Sequence, residues 1–116
     1  MTKLYLVVRR DLPLGARAAQ LCHALRAFAA SHPACDKDWY ERSNTLVLLE
    51  VPDEAALDQL IEKCHRWDIE GAEFREPDLG NSLTAIAIGP RGGRFLRKLP
   101  LALAKEEMRL RAPSAH

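Results

Sequence analysis

Hydrophobic and polar positions along this chain follow two periods in turn, and the switches between them divide it into elements. "KLYLVVRR" (3–10) is a run of β-branched, aliphatic and aromatic residues closed by Asp11 and Pro13, and it reads as a buried strand. After the loop "DLPLG" the period becomes helical. Leu21, Leu25 and Phe28 recur on one face of an alanine-rich segment from about Ala16 to Ala30, with Ala18, Cys22 and Ala29 extending that stripe toward the core. His32-Pro33 ends the helix, because the residue before proline avoids the α region. "CDKDWYERSN" (35–44) is polar with two aromatics and fits a short helix or an ordered loop. "TLVLLEV" (45–51) is almost uninterrupted Leu and Val, the pattern of a strand covered on both faces.

The second half repeats the alternation. "PDEAALDQLIEKCHRW" (52–67) opens with proline and acids, which suit a first helical turn, and Ala56, Leu57, Leu60, Ile61 and Cys64 mark its buried face. "EGAEFRE" (70–76) and "SLTAIAIGP" (82–90) read as strands joined by the turn "PDLGN", antiparallel or crossing on a short connection. "GPRGGRFLRKLPLAL" continues as a basic helix or extended segment, and "KEEMRLRAPSAH" as a frayed helix and tail. Strands interleaved with helices in this order predict an α/β layered domain with a mixed sheet of about four strands. The domain is expected over 1–104, with a tail over 105–116.

Composition narrows the function classes. At 116 residues the chain fits one domain, and a core this small gains from dimerisation. A net charge of +1 argues against a protein that coats DNA, while leaving room for a local basic patch. Cys22, Cys35 and Cys64 are odd in number and widely spaced, which disfavours a disulfide framework or a zinc site and predicts reduced thiols in the cytoplasm. The apolar run in "MTKLYLVVRRDLP" is too short for a signal or a membrane span, so no membrane association is expected.

Three places carry candidate chemistry. The first sets Asp11 at a strand's C-terminal end, where ligands gather in open α/β sheets, and Arg17, Gln20 and His23 on the next helix. Three-residue spacing puts these side chains in one stripe, expected opposite the Leu21, Leu25 and Phe28 face. Such a stripe is commonly no more than a solvated surface. Cys22 and His23 diverge by ~100° on a helix, so adjacency does not make them a nucleophile and base, and Cys22 reads as a small core residue. The second place is "REPDLGNSLT" (75–84), where Arg75 beside Glu76 and Asp78 is either turn chemistry or a carboxylate able to orient a water. The third, "PRGGRFLRK", holds Arg91, Arg94, Arg97 and Lys98 beside two glycines whose flexibility would suit contacts to phosphates. Nucleotide-loop, G-x-S-x-G and HExxH patterns are all missing.

Taken together, "YLVVRRDLPLGARAAQLCHAL", the acidic "PDEAALDQLIEKC" helix, the "REPD" loop and "TAIAIGP" resemble the type II peptidyl-tRNA hydrolases, in order over roughly residues 4 to 103. The "PLGA…AQ.CHA" wording is similar to the divergent subgroup called peptidyl-tRNA hydrolase domain-containing proteins. The resemblance implies a three-layer α/β/α sandwich, commonly dimeric. It also implies hydrolysis of the ester joining a peptide to the 3′ end of tRNA, without metal or organic cofactor. By position it implies that Asp11, Gln20 and His23 belong to the first motif, Arg75 and Glu76 to the loop, and Thr84 to the last motif. Gly15-Ala16-Arg17 replaces the family's lysine-rich turn, leaving Arg17 to supply its positive charge. On this reading Glu76 orients or deprotonates water, Arg17 with Arg75 holds a phosphate or the oxyanion, and Asp78, Arg91, Arg94, Arg97 and Lys98 bind tRNA. The rival expectation is a module of the same fold that binds RNA or protein without cleaving anything.

Overall fold

The computed structural model describes residues 2–104, so the expected terminal helix and tail lie outside the described residues. Four strands form a sheet in the order β2-β1-β4-β3, with β1 at Lys3–Arg9, β2 at Thr45–Val51, β3 at Gly71–Glu76 and β4 at Ser82–Ile88. β2 runs parallel to β1, while β4 is antiparallel to both β1 and β3, which makes the sheet mixed. Helices α1 (Leu14–Ser31) and α2 (Pro33–Arg42) form the parallel crossover from β1 to β2, and α3 (Glu54–Arg66) joins β2 to β3. A short α4 (Gly93–Leu96) follows β4.

Strand alternation sorts the core into two clusters, one on each side of the sheet. Leu4, Leu6, Val8, Ala85 and Ala87 pack under Leu21, Ala24 and Phe28 of α1 and Trp39 of α2. Val7, Ile86 and Ile88 pack against Leu57, Leu60 and Cys64 of α3 and Leu96 of α4. This is the expected three-layer sandwich. Burying one large side chain such as Phe28, fully enclosed here, contributes about 1.5–3 kcal/mol.

Several local expectations are corrected. Of the two readings open for 35–44 the helix holds, but over Pro33–Arg42, starting at Pro33, whose fixed φ suits the first helical position. β2 is not covered on both faces along its length: it is an edge strand, and Leu46 is 40% exposed. Backbone bonds from Glu50 to Pro100 and from Ala102 to Leu48 cover part of its outer edge. Ala18 and Cys22 are exposed rather than buried. The buried face of α1 instead runs through Gln20, Leu21, Ala24 and Phe28, and a polar residue has taken the place reserved for a small apolar one.

Candidate active site

The polar residue buried on α1 organises a site at the C-terminal end of β1. Thr84 Oγ1 donates to Gln20 Oε1 at 2.6 Å, and Gln20 Nε2 donates to Glu76 Oε1 at 2.8 Å. Thr84 and Gln20 are 0% and 4% exposed. A carboxylate only accepts, so Glu76 draws the amide nitrogen toward itself and leaves the amide oxygen for the hydroxyl proton of Thr84. Both ends of the amide are thereby used, and Glu76 is fixed from its buried side. Its second oxygen, Oε2, accepts from the Asp78 N–H at 3.5 Å, beside the short turn Pro77–Leu79.

A β-bulge puts Thr84 in that position. Phe74 pairs with Ala85 and Arg75 with Leu83, so Thr84 is an extra residue on β4. Strict alternation would turn Thr84 toward α3 along with Ile86; the bulge restarts the period and turns it toward α1. Two side chains hold the disrupted backbone. Glu54, in the first turn of α3, accepts from the Leu83 N–H at 2.7 Å, and Arg9 Nη1 donates to the Leu83 carbonyl at 3.2 Å. Pairing of β1 with β4 stops at Val8 and Ala85, so the Arg9 side chain takes over where the ladder ends. These two residues were not singled out by sequence. Their only signals were a strand-end arginine and a helix-start acid, both ordinary.

The remaining residues of the first motif take different posts. Asp11 is a two-pronged partner of Arg9, with Nε to Oδ1 and Nη2 to Oδ2 both at 2.9 Å. That hydrogen-bonded pairing holds the Asp11 carboxyl below the usual carboxylate range and raises the Arg9 guanidinium, with burial opposing both shifts. Arg17 reaches across to β2, where its Nη1 lies 3.6 Å from Glu50 Oε2, and the two side chains are 13% and 12% exposed. His23, one helical turn beyond Gln20, is exposed and stacks on Phe74 with ring centroids 4.5 Å apart. Phe74 shares its sheet face with Glu76, two residues along, so the stacked pair walls the site on that side.

Other predicted residues lie elsewhere. Arg75 falls on the opposite sheet face from Glu76 and pairs with Glu73 at 3.3 Å, so it does not join Arg17. Arg91, Arg94, Arg97 and Lys98 follow the C-terminal end of β4, at the far end of the sheet from Thr84. Seven residues of β1 separate the two ends by about 20 Å, at about 3.3 Å per residue. Glycine flexibility is not what the segment uses either. A Cβ on Gly92 would sit 2.3 Å from Ile88 Cγ2, and one on Gly93 2.6 Å from Tyr5 Oη, so the pair permits close packing.

Among the described residues no group of three or more His, Cys, Asp or Glu is placed to hold a metal ion, and no helix is long and apolar enough to cross a membrane. Burial pushes the Cys64 thiol up to about 11, and the Cys35 thiol is raised mainly by desolvation.

The fold and the arrangement of this cluster define an α/β/α protein with a carboxylate held at the carboxyl end of an edge strand of the sheet. The profile of the family described as peptidyl-tRNA hydrolase PTH2 matches residues 2–100, and the chain belongs to that family. It is also 34% identical over 113 residues to a human protein, PTRHD1, which carries the peptidyl-tRNA hydrolase name provisionally; the alignment covers 84% of this chain and 79% of that relative.

Proposed function

We propose that this protein hydrolyses the ester between peptide and tRNA in peptidyl-tRNA, with Glu76 as general base. The observation that carries the reading is the Thr84–Gln20–Glu76 chain of hydrogen bonds, which holds one carboxylate oxygen from the buried side and turns the other outward. A positioned base of this kind contributes on the order of 100- to 10,000-fold. Glu76 Oε2 takes a proton from water as the water oxygen bonds to the ester carbonyl carbon. The tetrahedral oxyanion then collapses, the bond to the ribose oxygen breaks, and that oxygen receives the proton. The peptide leaves as a carboxylic acid, which gives its proton to solvent, and the tRNA with a free hydroxyl.

Arg17 is assigned the phosphate or the oxyanion, although its partner Glu50 lies on β2, at the other edge of the sheet from the strand that carries Glu76. Arg17 Nη1 lies 3.6 Å from Glu50 Oε2, and a guanidinium is a planar fork suited to binding a phosphate or an oxyanion. Because Arg75 faces the other side of the sheet, the oxyanion role rests on Arg17 alone. The first turn of α1 has no side-chain cap, so its N–H groups can help bind the 3′-terminal phosphate. Asp11 keeps Arg9 in place, His23 and Phe74 form a wall, and Asp78 steadies Glu76 through its N–H. The reading needs no cofactor, and with it go cytoplasmic location and a homodimer.

The test is peptide release from an N-blocked aminoacyl-tRNA by the purified chain. Glu76→Gln keeps the shape and removes the base, and is expected to slow release by about 100-fold or more. Arg17→Ala is expected to slow it by about tenfold or more. Release by both variants at the parent rate overturns the assignment. Binding of tRNA without any release by the parent chain turns the reading toward a non-cleaving RNA-binding module.

A further inference from the structure

The far end of the sheet carries a groove of about 950 Å³ between the start of β1, the end of α3 and the turn leading into α4. Lys3, Lys63, Arg66, Arg91, Arg94 and Arg97 line it, and no Asp or Glu does. Those are six of the 17 Lys and Arg in a chain of net charge +1, so positive charge is concentrated here. Two of the six are partly neutralised: Arg91 by Glu70 at 3.2 Å and by the Asp68 carbonyl, Arg66 by Glu62 at 3.5 Å. Among the described residues, Lys3, Lys63, Arg94 and Arg97 have no carboxylate within ion-pair distance.

Aromatic faces alternate with the cations. Trp67, at the C-terminal end of α3, is 63% exposed and lines the groove together with Tyr5 and Phe95. The Lys63 ammonium sits 5.7 Å from the centre of the Phe95 ring. The frame is rigid. Gly92 and Gly93 let the turn lie directly on Ile88 and Tyr5, and Leu96 anchors it in the core, so Arg94 and Arg97 project from a fixed base.

We propose that this groove binds a single-stranded segment of nucleic acid, its phosphates on Lys3, Lys63, Arg94 and Arg97 and a base stacked on Trp67. A concave row of cations matches a backbone with repeating charge, and an exposed indole matches the one feature an unpaired strand has and a duplex hides, the face of a base. An isolated phosphate has no use for Trp67, and a flat anionic membrane does not follow a concave wall. The proposal does not rest on the hydrolase reading: the residues differ, the site is about 20 Å from Glu76 along the strands, and no bond is broken.

The test is fluorescence anisotropy of a labelled 12-nucleotide single-stranded RNA titrated with the full chain at several salt concentrations. Arg94→Glu combined with Arg97→Glu is expected to weaken binding at least tenfold and to lower the slope of log affinity against log salt by about 1.4, about 0.7 per phosphate contact. Trp67→Ala is expected to weaken binding about tenfold, with Trp67→Phe restoring most of it. Trp39 is buried, so its fluorescence reports whether each variant is folded. Equal binding by the charge-reversal variant overturns the proposal, as does an unchanged affinity in Trp67→Ala. Preference for a blunt duplex of the same length, for phosphatidylserine vesicles or for polyglutamate overturns it too, and names the other partner. Turnover is not measured, so failure of the hydrolase reading leaves this result standing.

Discussion

The two ends of the sheet use polar residues in opposite ways. At the Glu76 end Thr84 and Gln20 are nearly sealed from solvent, and each polar atom must meet a partner, because an unpaired buried polar group costs about 1–3 kcal/mol. That requirement makes the cluster geometrically exact to within a hydrogen bond: a bulge, Arg9 and Glu54 all serve to aim one hydroxyl. At the groove end the cations stay hydrated and act through their summed field, which tolerates small displacements. Chemistry on a bond needs the first arrangement, and holding a flexible polyanion needs only the second. A net charge of +1 conceals this division, since acidic residues elsewhere in the chain offset the basic wall.

Thiol reactivity gives the largest expected contrast between the two halves of the molecule. Cys22, exposed on α1, should react with an aromatic disulfide on the order of 100-fold faster than Cys64, which α3 buries at the groove end with its thiol near 11. Comparable rates, followed by absorbance in the native state, would show that the groove end opens and is not the rigid frame described. Thr84→Val comes next. It keeps the volume and leaves Gln20 Oε1 without its donor, so urea unfolding should show a loss of about 1–3 kcal/mol. The same variant should release peptide more slowly while binding the RNA strand as tightly as the parent. A parallel loss of strand binding would join the two ends into one site.

The smallest effect is expected from acid. Arg9 holds the Asp11 carboxyl below its ordinary range, so the unfolded chain binds that proton more tightly than the folded one. The stabilisation is complete above the unfolded value of about 3.9 and is lost as pH falls through the lowered folded value. The Asp11 side chain is 42% exposed, and solvent screening keeps the contribution to about 1 kcal/mol or less. Asp11→Asn should therefore lower stability slightly at pH 7 and make the acid limb less steep below about pH 4. An unchanged acid limb would remove Asp11 from the Arg9 bracket.

Much of the architecture was legible in the residues. Apolar runs marked four strands, the Leu57, Leu60 and Cys64 spacing marked α3, and Asp53 caps that helix by accepting from the Ala56 N–H at 3.0 Å. The motif residues Gln20, Glu76 and Thr84 could be named, but not their contacts, because they lie 56 and 64 positions apart in the chain. Periodicity misplaced Cys22 and Gln20 for one reason. A helical pattern reports which face is richer in apolar residues, and it is blind to a polar side chain whose partners wait on another element.

By itself the sequence determined the elements, their order and the identity of the groups able to do chemistry, since these follow from local periodicity, turn residues and side-chain type. The tertiary structure decided which of those groups meet. A single extra residue on β4 reversed the direction of Thr84, strand alternation sent Arg75 to the other face, and the antiparallel course of β4 carried Arg94 and Arg97 to the far end of the sheet. A strand turns each side chain to one face or the other, so one unit of register separates a residue in the site from a residue outside it.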